Sequence, residues 1–317
     1  MVMRAARQLA GVLITLIAVS ALTFLATSFK SPDDVARASL GRRAAPEQID
    51  AFVRTHGLDA PLAQRYGRWV SHFLHGDWGR SVRTDRPIKP ELMPRLVRTL
   101  LLVAIAFVVV VPLGIAIGGA VAQRWGSRSD VAATSGLMVL SAFPEFVVGV
   151  GAIVVFSVWL GWLPPESTTG LAFGSAGEQA RAYLLPAITL VLVAAPFLVR
   201  LTVASMRDAL VAPHTRAATF RGLSPRTVVW DYAMRSAAVP IVNAAGLTLV
   251  HLLGGTLVVE NVLGFPGIGQ ALVSAVGSGD IAAVQAIAVI TAALFVGVSL
   301  VTDLLAGVFN PRLRSAS

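Results

Sequence analysis

Residues 99–123 read TLLLVAIAFVVVVPLGIAIGGAVAQ, 25 residues without a charge and without the period-2 alternation of a half-buried strand. One helix of that length covers the roughly 30 Å hydrocarbon core of a bilayer. In lipid only a helix satisfies every backbone N–H and C=O within a single segment. The stretch is therefore read as a transmembrane span, and the rest of the chain divides around it. Comparable tracts occupy residues 8–29, 131–162, 182–199, 236–259 and 281–302, with the fourth and sixth helices running on to 206 and 308. The expected fold is an all-α membrane protein of six transmembrane helices. Arg4 and Arg7 before the first tract imitate a signal peptide, but a signal-peptide core is shorter than these 22 uncharged residues. The segment is read as a retained first span.

Composition agrees. Of 317 residues 55% are apolar and 14% charged, more apolar than one water-soluble core of this length needs. The net charge of +9 sits in connectors that flank hydrophobic tracts, whereas a nucleic-acid footprint would form one continuous basic face. There is no cysteine, which excludes disulfides, Cys-ligated zinc and iron–sulfur clusters.

The connectors set an orientation. Arg4, Arg7, Arg124, Arg128, Arg200, Arg207, Arg216, Arg221, Arg226, Arg235, Arg312 and Arg314 fall on one side, and the short connectors opposite carry only Arg181. The positive-inside rule then puts both termini and the connector from 200 to 235 in the cytoplasm. The connector 30–98 is long enough to escape that rule and is read as external. It holds two amphipathic helices. One runs from Pro46 to a Gly57 stop with Ile49, Phe52 and Val53 on one face. The other is capped by Asp59, has Pro61 in its first turn and ends at Gly76, with Leu62, Tyr66, Trp69 and Phe73 on one face. They pack against lipid or the bundle, or touch substrate.

The connector 207–235 is far longer than a helix hairpin needs. Thr215 to Arg221 reads as a short helix stopped by Gly222, and Ser224 with Pro225 caps and starts a second that enters the fifth span. A stiff basic protrusion of this kind is a docking surface.

Here the chain resembles a known family. Arg216-Ala217-Ala218-x-x-x-Gly222, continuing through Leu223-Ser224-Pro225 to Ala238-Val239-Pro240, is similar to the "EAA" loop of binding-protein-dependent ABC permeases, in particular the B-type subunit of dipeptide and oligopeptide importers. Further landmarks follow in family order: Pro46-Glu47-Gln48-Ile49, Gly57-Leu58-Asp59-x-Pro61-Leu62, Gly76-Asp77-x-Gly79-x-Ser81, Gly161-Trp162-Leu163-Pro164, Glu260-Asn261-Val262, Pro266-Gly267-x-Gly269 and Asn310-Pro311-Arg312. Two positions depart from the pattern. The glutamate that names the loop is Arg216, and the third-span motif usually reading Pro-Ser-Phe is Pro144-Glu145-Phe146.

The resemblance implies a type I ABC importer permease fold. It implies a second, C-type permease, two ATP-binding subunits that hold ATP and Mg²⁺, an extracytoplasmic solute-binding lipoprotein and a short-peptide substrate. No cofactor is expected on this chain, and it has no G-x-x-x-x-G-K-[ST] phosphate loop. Arg216, Ala217, Ala218, Phe220, Arg221, Gly222, Leu223, Ser224 and Pro225 would form the coupling segment. Glu260, Pro266, Gly267 and Gly269, in the segment 260–280, would belong to an external gate.

Single residues add a translocation-path candidate. Glu145 beside Pro144 is read as the one acidic residue deep in a membrane tract, and with Phe146 it is expected to line a cavity. There it meets a peptide's ammonium or pairs with a neighbouring helix. His251 is satisfied by one helix–helix hydrogen bond or also faces the path. Pro112, Pro144, Pro196 and Pro240 are hinges or static kinks. His72, His75 and Asp77 lack the further ligands a metal would need, and Gly264 to Gly269 is read as a tight re-entrant turn, not a phosphate cradle. The competing class is a self-contained channel or ion-coupled carrier. That class calls for internal repeats and several intramembrane charges, which the sequence lacks.

Overall fold

The computed structural model describes residues 2–309 except 29, 30, 32, 34, 35, 38, 39, 42, 43, 56, 58 and 82. Leu58, Arg312, Arg314 and the Asn310-Pro311-Arg312 landmark lie outside the described residues, as do the side chains of Arg4 and Arg7. Among the described residues the regular structure is helical, apart from one antiparallel bridge between Arg80 and Pro87. Five helices are long and apolar enough to cross a bilayer, or six spans if one bent pair counts as one. The chain divides into two compact units. One comprises residues 1–98 and 267–296, the other 99–266 and 297–317.

In the first unit, helix α1 (Val2–Ser28) is joined by α2 (Pro46–Thr55) and α3 (Leu62–Leu74). Of the expected stripe on α3, Tyr66 and Trp69 pack against α1, Phe73 lies against Trp78, and Leu62 is exposed. Tyr66 shares a 2.7 Å hydrogen bond with Ser20, and the rings of Phe24, Tyr66, Trp69, Phe73 and Trp78 follow one another at 5.4–6.2 Å. Asp59 does not cap α3. Pro61 takes the N-cap position with no side-chain cap bond, because a proline that carries no N–H sits readily where the helix has no use for one. Gly76 follows the helix with φ +85°, a backbone that side-chain-bearing residues rarely adopt.

Helix α4 (Ile88–Gln123) begins in this unit and continues into the other. Its Ile88 and Leu92 pack with Ile268, Ala271 and Ala275 and with Ala286, Ile287 and Ile290. Those residues belong to α12 (Ile268–Ser278) and α13 (Ile281–Phe309). Asp280 fixes the corner between the last two, accepting from Ala283 N at 3.2 Å and from the Ser81 hydroxyl. Gln285 on α13 donates to Thr27 on α1 at 2.6 Å.

The second unit is built on α8 (Ala176–Val211) and α11 (Met234–Val262). A capping box starts α8: Glu178 N donates to Ser175 Oγ and Ser175 N donates to Glu178 Oε2 at 2.7 Å. Its Ser-x-x-Glu spacing is plain in the sequence, so the helix begins six residues before the expected start at 182. The lower half of α4 packs on α8 through glycines. Gly114 lies against Leu198, and Gly118 against Thr202 and the Val199 carbonyl. Lipid supplies no hydrophobic drive between helices, so this close backbone approach is what lets dispersion hold them.

The third span is not one straight helix over 131–162. It divides into α5 (Arg128–Ala142) and α6 (Glu145–Ala152), the latter continuing as a π-helical turn Ile153–Trp159, and the two parts meet at a 100° bend. Pro144 has no N–H to give and its ring excludes the carbonyl four residues back, while Phe143 before it is extended at ψ 131°. Pro112, Pro196 and Pro240 lie within helices that run through them.

Candidate translocation cavity and coupling segment

The bend creates the site. With α5 turned aside, the start of α6 opens on a cavity of about 440 Å³ in the second unit. Four positions singled out in the sequence line it together: Pro144, Glu145, Phe146 and His251. Phe197 and Arg200 of α8 complete its polar and aromatic character. Glu145 is the first residue of α6, where the unpaired amides of a helix N-terminus favour a carboxylate. A Cβ on Gly255 would meet Glu145 Oε1 at an ordinary contact distance of 3.6 Å, so α11 passes directly beside that carboxylate. The His251 ring lies 5.9 Å from Phe197, inclined at 31°.

Glu145 is not the only acidic residue in a long apolar helix. Glu260 was expected just past the fifth span, but α11 continues to Val262 and buries Glu260 completely. Thr99 of α4 donates to its Oε1 at 2.6 Å. Pairing it this way lets the helix carry the carboxylate where a bare one would end it. Past Glu260 the chain turns at Gly264 (φ +56°) over a fully buried Phe265, whose N–H donates to the Glu260 carbonyl at 2.8 Å. The Thr168 hydroxyl of α7 (Thr168–Phe173) holds that turn at the Gly264 carbonyl. The four expected gate residues therefore divide. Glu260 and Pro266 belong to the second unit, and Gly267, the N-cap of α12, with Gly269 inside it, to the first. The segment 260–280 is largely helix, not only a re-entrant turn.

Below α8, α9 (Pro213–Phe220) turns Thr215 and Ala218 inward and leaves Arg216, Ala217 and Phe220 outward. Phe220 is 89% exposed, an unusual placement for so large a ring. Ala218, expected on the docking face, is 1% exposed and supports the segment from within. Arg221 ends α9, Gly222 turns the chain at φ +78°, and Leu223 is half-buried. The Ser224 side chain then caps α10 (Pro225–Thr227) with Pro225 at its start. A π-helical turn Val228–Ala233 carries it into α11, making one helical element over Pro225–Val262. Val229 and Ala233 pack with Ala122, Met206, Ala209, Ala237 and Ile241, so the protrusion is fixed to α4 and α8.

Near the same end, Arg207 pairs with Asp130, which also accepts from Gly126 N at 3.0 Å and Thr134 Oγ1 at 3.3 Å. The guanidinium lies 5.5 Å from the Trp125 ring centre. Sequence reading missed this pair because its members are 77 positions apart. Among the described residues no three His, Cys, Asp or Glu side chains gather as a metal site, and His75 Nδ1 lies 2.7 Å from the Ser71 carbonyl.

Long apolar helices with their charged side chains turned into a cavity and onto one another make this an integral membrane transport subunit. Its family follows from two matches, "Binding-protein-dependent transport system inner membrane component" over residues 110–315 and the corresponding N-terminal component over residues 1–103. The chain belongs to this family of ABC permeases, which are not themselves enzymes. It is similar to the glutathione transport system permease protein GsiC of Salmonella paratyphi A, 36% identical over 97% of both chains. The GsiC proteins of Escherichia coli K12 and Shigella flexneri are also 36% identical over 97% of both chains.

Proposed function

We propose that this chain forms one half of the translocation pathway of an ATP-driven importer for short peptides. Its partners are a second homologous permease, two ATP-binding subunits and an extracytoplasmic solute-binding lipoprotein. The observation that carries the reading is α9, an exposed basic segment joined through one turn to a helix that runs on to the cavity wall. The relatives' names supply the substrate class, glutathione being a small peptide.

In this reading the termini and the 207–235 connector face the cytoplasm, as their arginines favour. Closure of the ATPase pair presses on Arg216, Ala217, Phe220 and Arg221. Because Pro225–Val262 is one helical element, that push tilts α11 and opens the cavity outward. ATP and Mg²⁺ are held by the partners, and the chain itself contributes no cofactor chemistry.

Uptake by the full complex in proteoliposomes tests this. Phe220→Ala, whose ring touches little of its own chain, and deletion of residues 217–221 should both abolish ATP-dependent peptide uptake and leave membrane insertion intact. Undiminished uptake by these variants contradicts the lever. Uptake by the purified chain alone, without ATPases, would favour the self-contained carrier.

A further inference from the structure

The cavity joins a carboxylate from α6 to a guanidinium from α8, and neither Glu145 nor Arg200 has a hydrogen-bond or ion-pair partner among the described residues. The two buried carboxylates of the same unit do have partners. Asp130 is paired with Arg207, and Glu260 accepts from Thr99. Charged groups inside a membrane protein are normally paired or face water, and two opposite charges that line one cavity without joining each other leave room for something that carries both signs.

We propose that Glu145 and Arg200 grip the two ends of a zwitterionic short peptide. Glu145 accepts from the α-ammonium and Arg200 donates to the terminal carboxylate. This assignment rests on the permease reading above and adds to it the chemistry of recognition. The volume of about 440 Å³ lies within the range of small-molecule sites. An extended tripeptide spans about 10 Å. Aromatic side chains share the lining with the two charges: Phe143 and Phe146 at the bend, and Phe197 in ring contact with His251. Rings of this kind contact a peptide through area and quadrupole and do not demand one side chain. The site therefore reads the free termini and tolerates the residues between them.

The test is isothermal titration of the membrane complex, both permeases with both ATPases, in phosphatidylglycerol nanodiscs that offer no zwitterionic headgroup. Three probes are used: trialanine, N-acetyl-trialanine and trialanine amide. Wild type should bind trialanine tightest. Glu145→Gln should weaken trialanine and trialanine amide about tenfold or more and leave N-acetyl-trialanine unchanged. Arg200→Gln should weaken trialanine and N-acetyl-trialanine and leave the amide unchanged. This crossed pattern is one that a merely structural role does not produce. Equal loss of all three probes in both variants, no loss in either, or wild-type binding that ignores the caps overturns the proposal. So does a wild type that binds none of them. ATP-driven trialanine uptake by the same complex separates the two readings. Uptake with wild-type KM in both charge variants sinks only the charge assignment, whereas failure of ATP to drive uptake of any peptide sinks the permease reading as well.

Discussion

Gly118→Ala measures how the second unit is held together. A Cβ there would lie 2.6 Å from Thr202 Cβ and Cγ2 and 3.2 Å from the Val199 carbonyl oxygen, against ordinary contacts of 3.4–4 Å. The overlap with Thr202 is close to 1 Å, and Thr202 Cβ is attached to the α8 backbone, so no rotamer change relieves it. Helices α4 and α8 must part. Overpacking of this kind costs about 1–3 kcal/mol. Gly114→Ala meets Leu198 Cδ2 at 2.7 Å and Cγ at 2.8 Å, atoms that a χ1 rotation can carry away, and should cost less. Gly254→Ala finds nothing within 4 Å and should be neutral or gain about 0.5–1 kcal/mol from helix propensity. The assay is thermal unfolding of the detergent-purified protein followed by size-exclusion fluorescence. Each kcal/mol should move Tm by about 2–4 °C. The expected order is Gly254→Ala, then Gly114→Ala, then Gly118→Ala as the least stable. A Gly118→Ala protein that melts with or above the Gly254→Ala control refutes the close-packing account.

Two further outcomes follow from the buried polar groups. Thr99→Val removes the 2.6 Å donor to a fully buried carboxylate and should destabilise by about 1–3 kcal/mol, read in the same melting assay, while Thr99→Ser stays near wild type. Asp130→Arg and Arg207→Asp should each lower the yield of folded protein, and the double exchange should restore only the part due to the ion pair, since arginine cannot accept from Gly126 N or Thr134. Equal yields from the single and double variants would show that the pair holds nothing.

The six apolar tracts were legible because lipid demands long helices and charge falls in the connectors. The bend at Pro144 was legible only as a hinge candidate, since proline marks kinks and breaks alike, and its 100° angle depends on packing. Glu260 was misassigned because the tract was ended at its first acidic residue; a hydroxyl that satisfies it, that of Thr99, lies 161 positions away. Helix α12 was obscured by the glycines of GFPGIG, which signal a turn more strongly than 11 apolar residues signal a helix. The cavity's Pro144, Glu145, Phe146 and His251 could be singled out by type. Arg200 was counted only among the charges of one membrane side, although the fourth helix was run on to 206, because nothing in its neighbours shows that the cavity reaches it. The inward face of α9 likewise depends on what lies behind Ala218.

The tie between Glu260 and Thr99 also bears on how the protein is made. The element Pro225–Val262 is the least apolar of the five long helices, and it carries a carboxylate that lipid alone would reject. Its partner hydroxyl is synthesised 161 residues earlier. The fifth span is apolar enough to cross lipid, yet its buried carboxylate meets that hydroxyl only when α4 lies beside it. An early helix that stays near the insertion machinery until the later one arrives would spare Glu260 an unpaired passage into lipid.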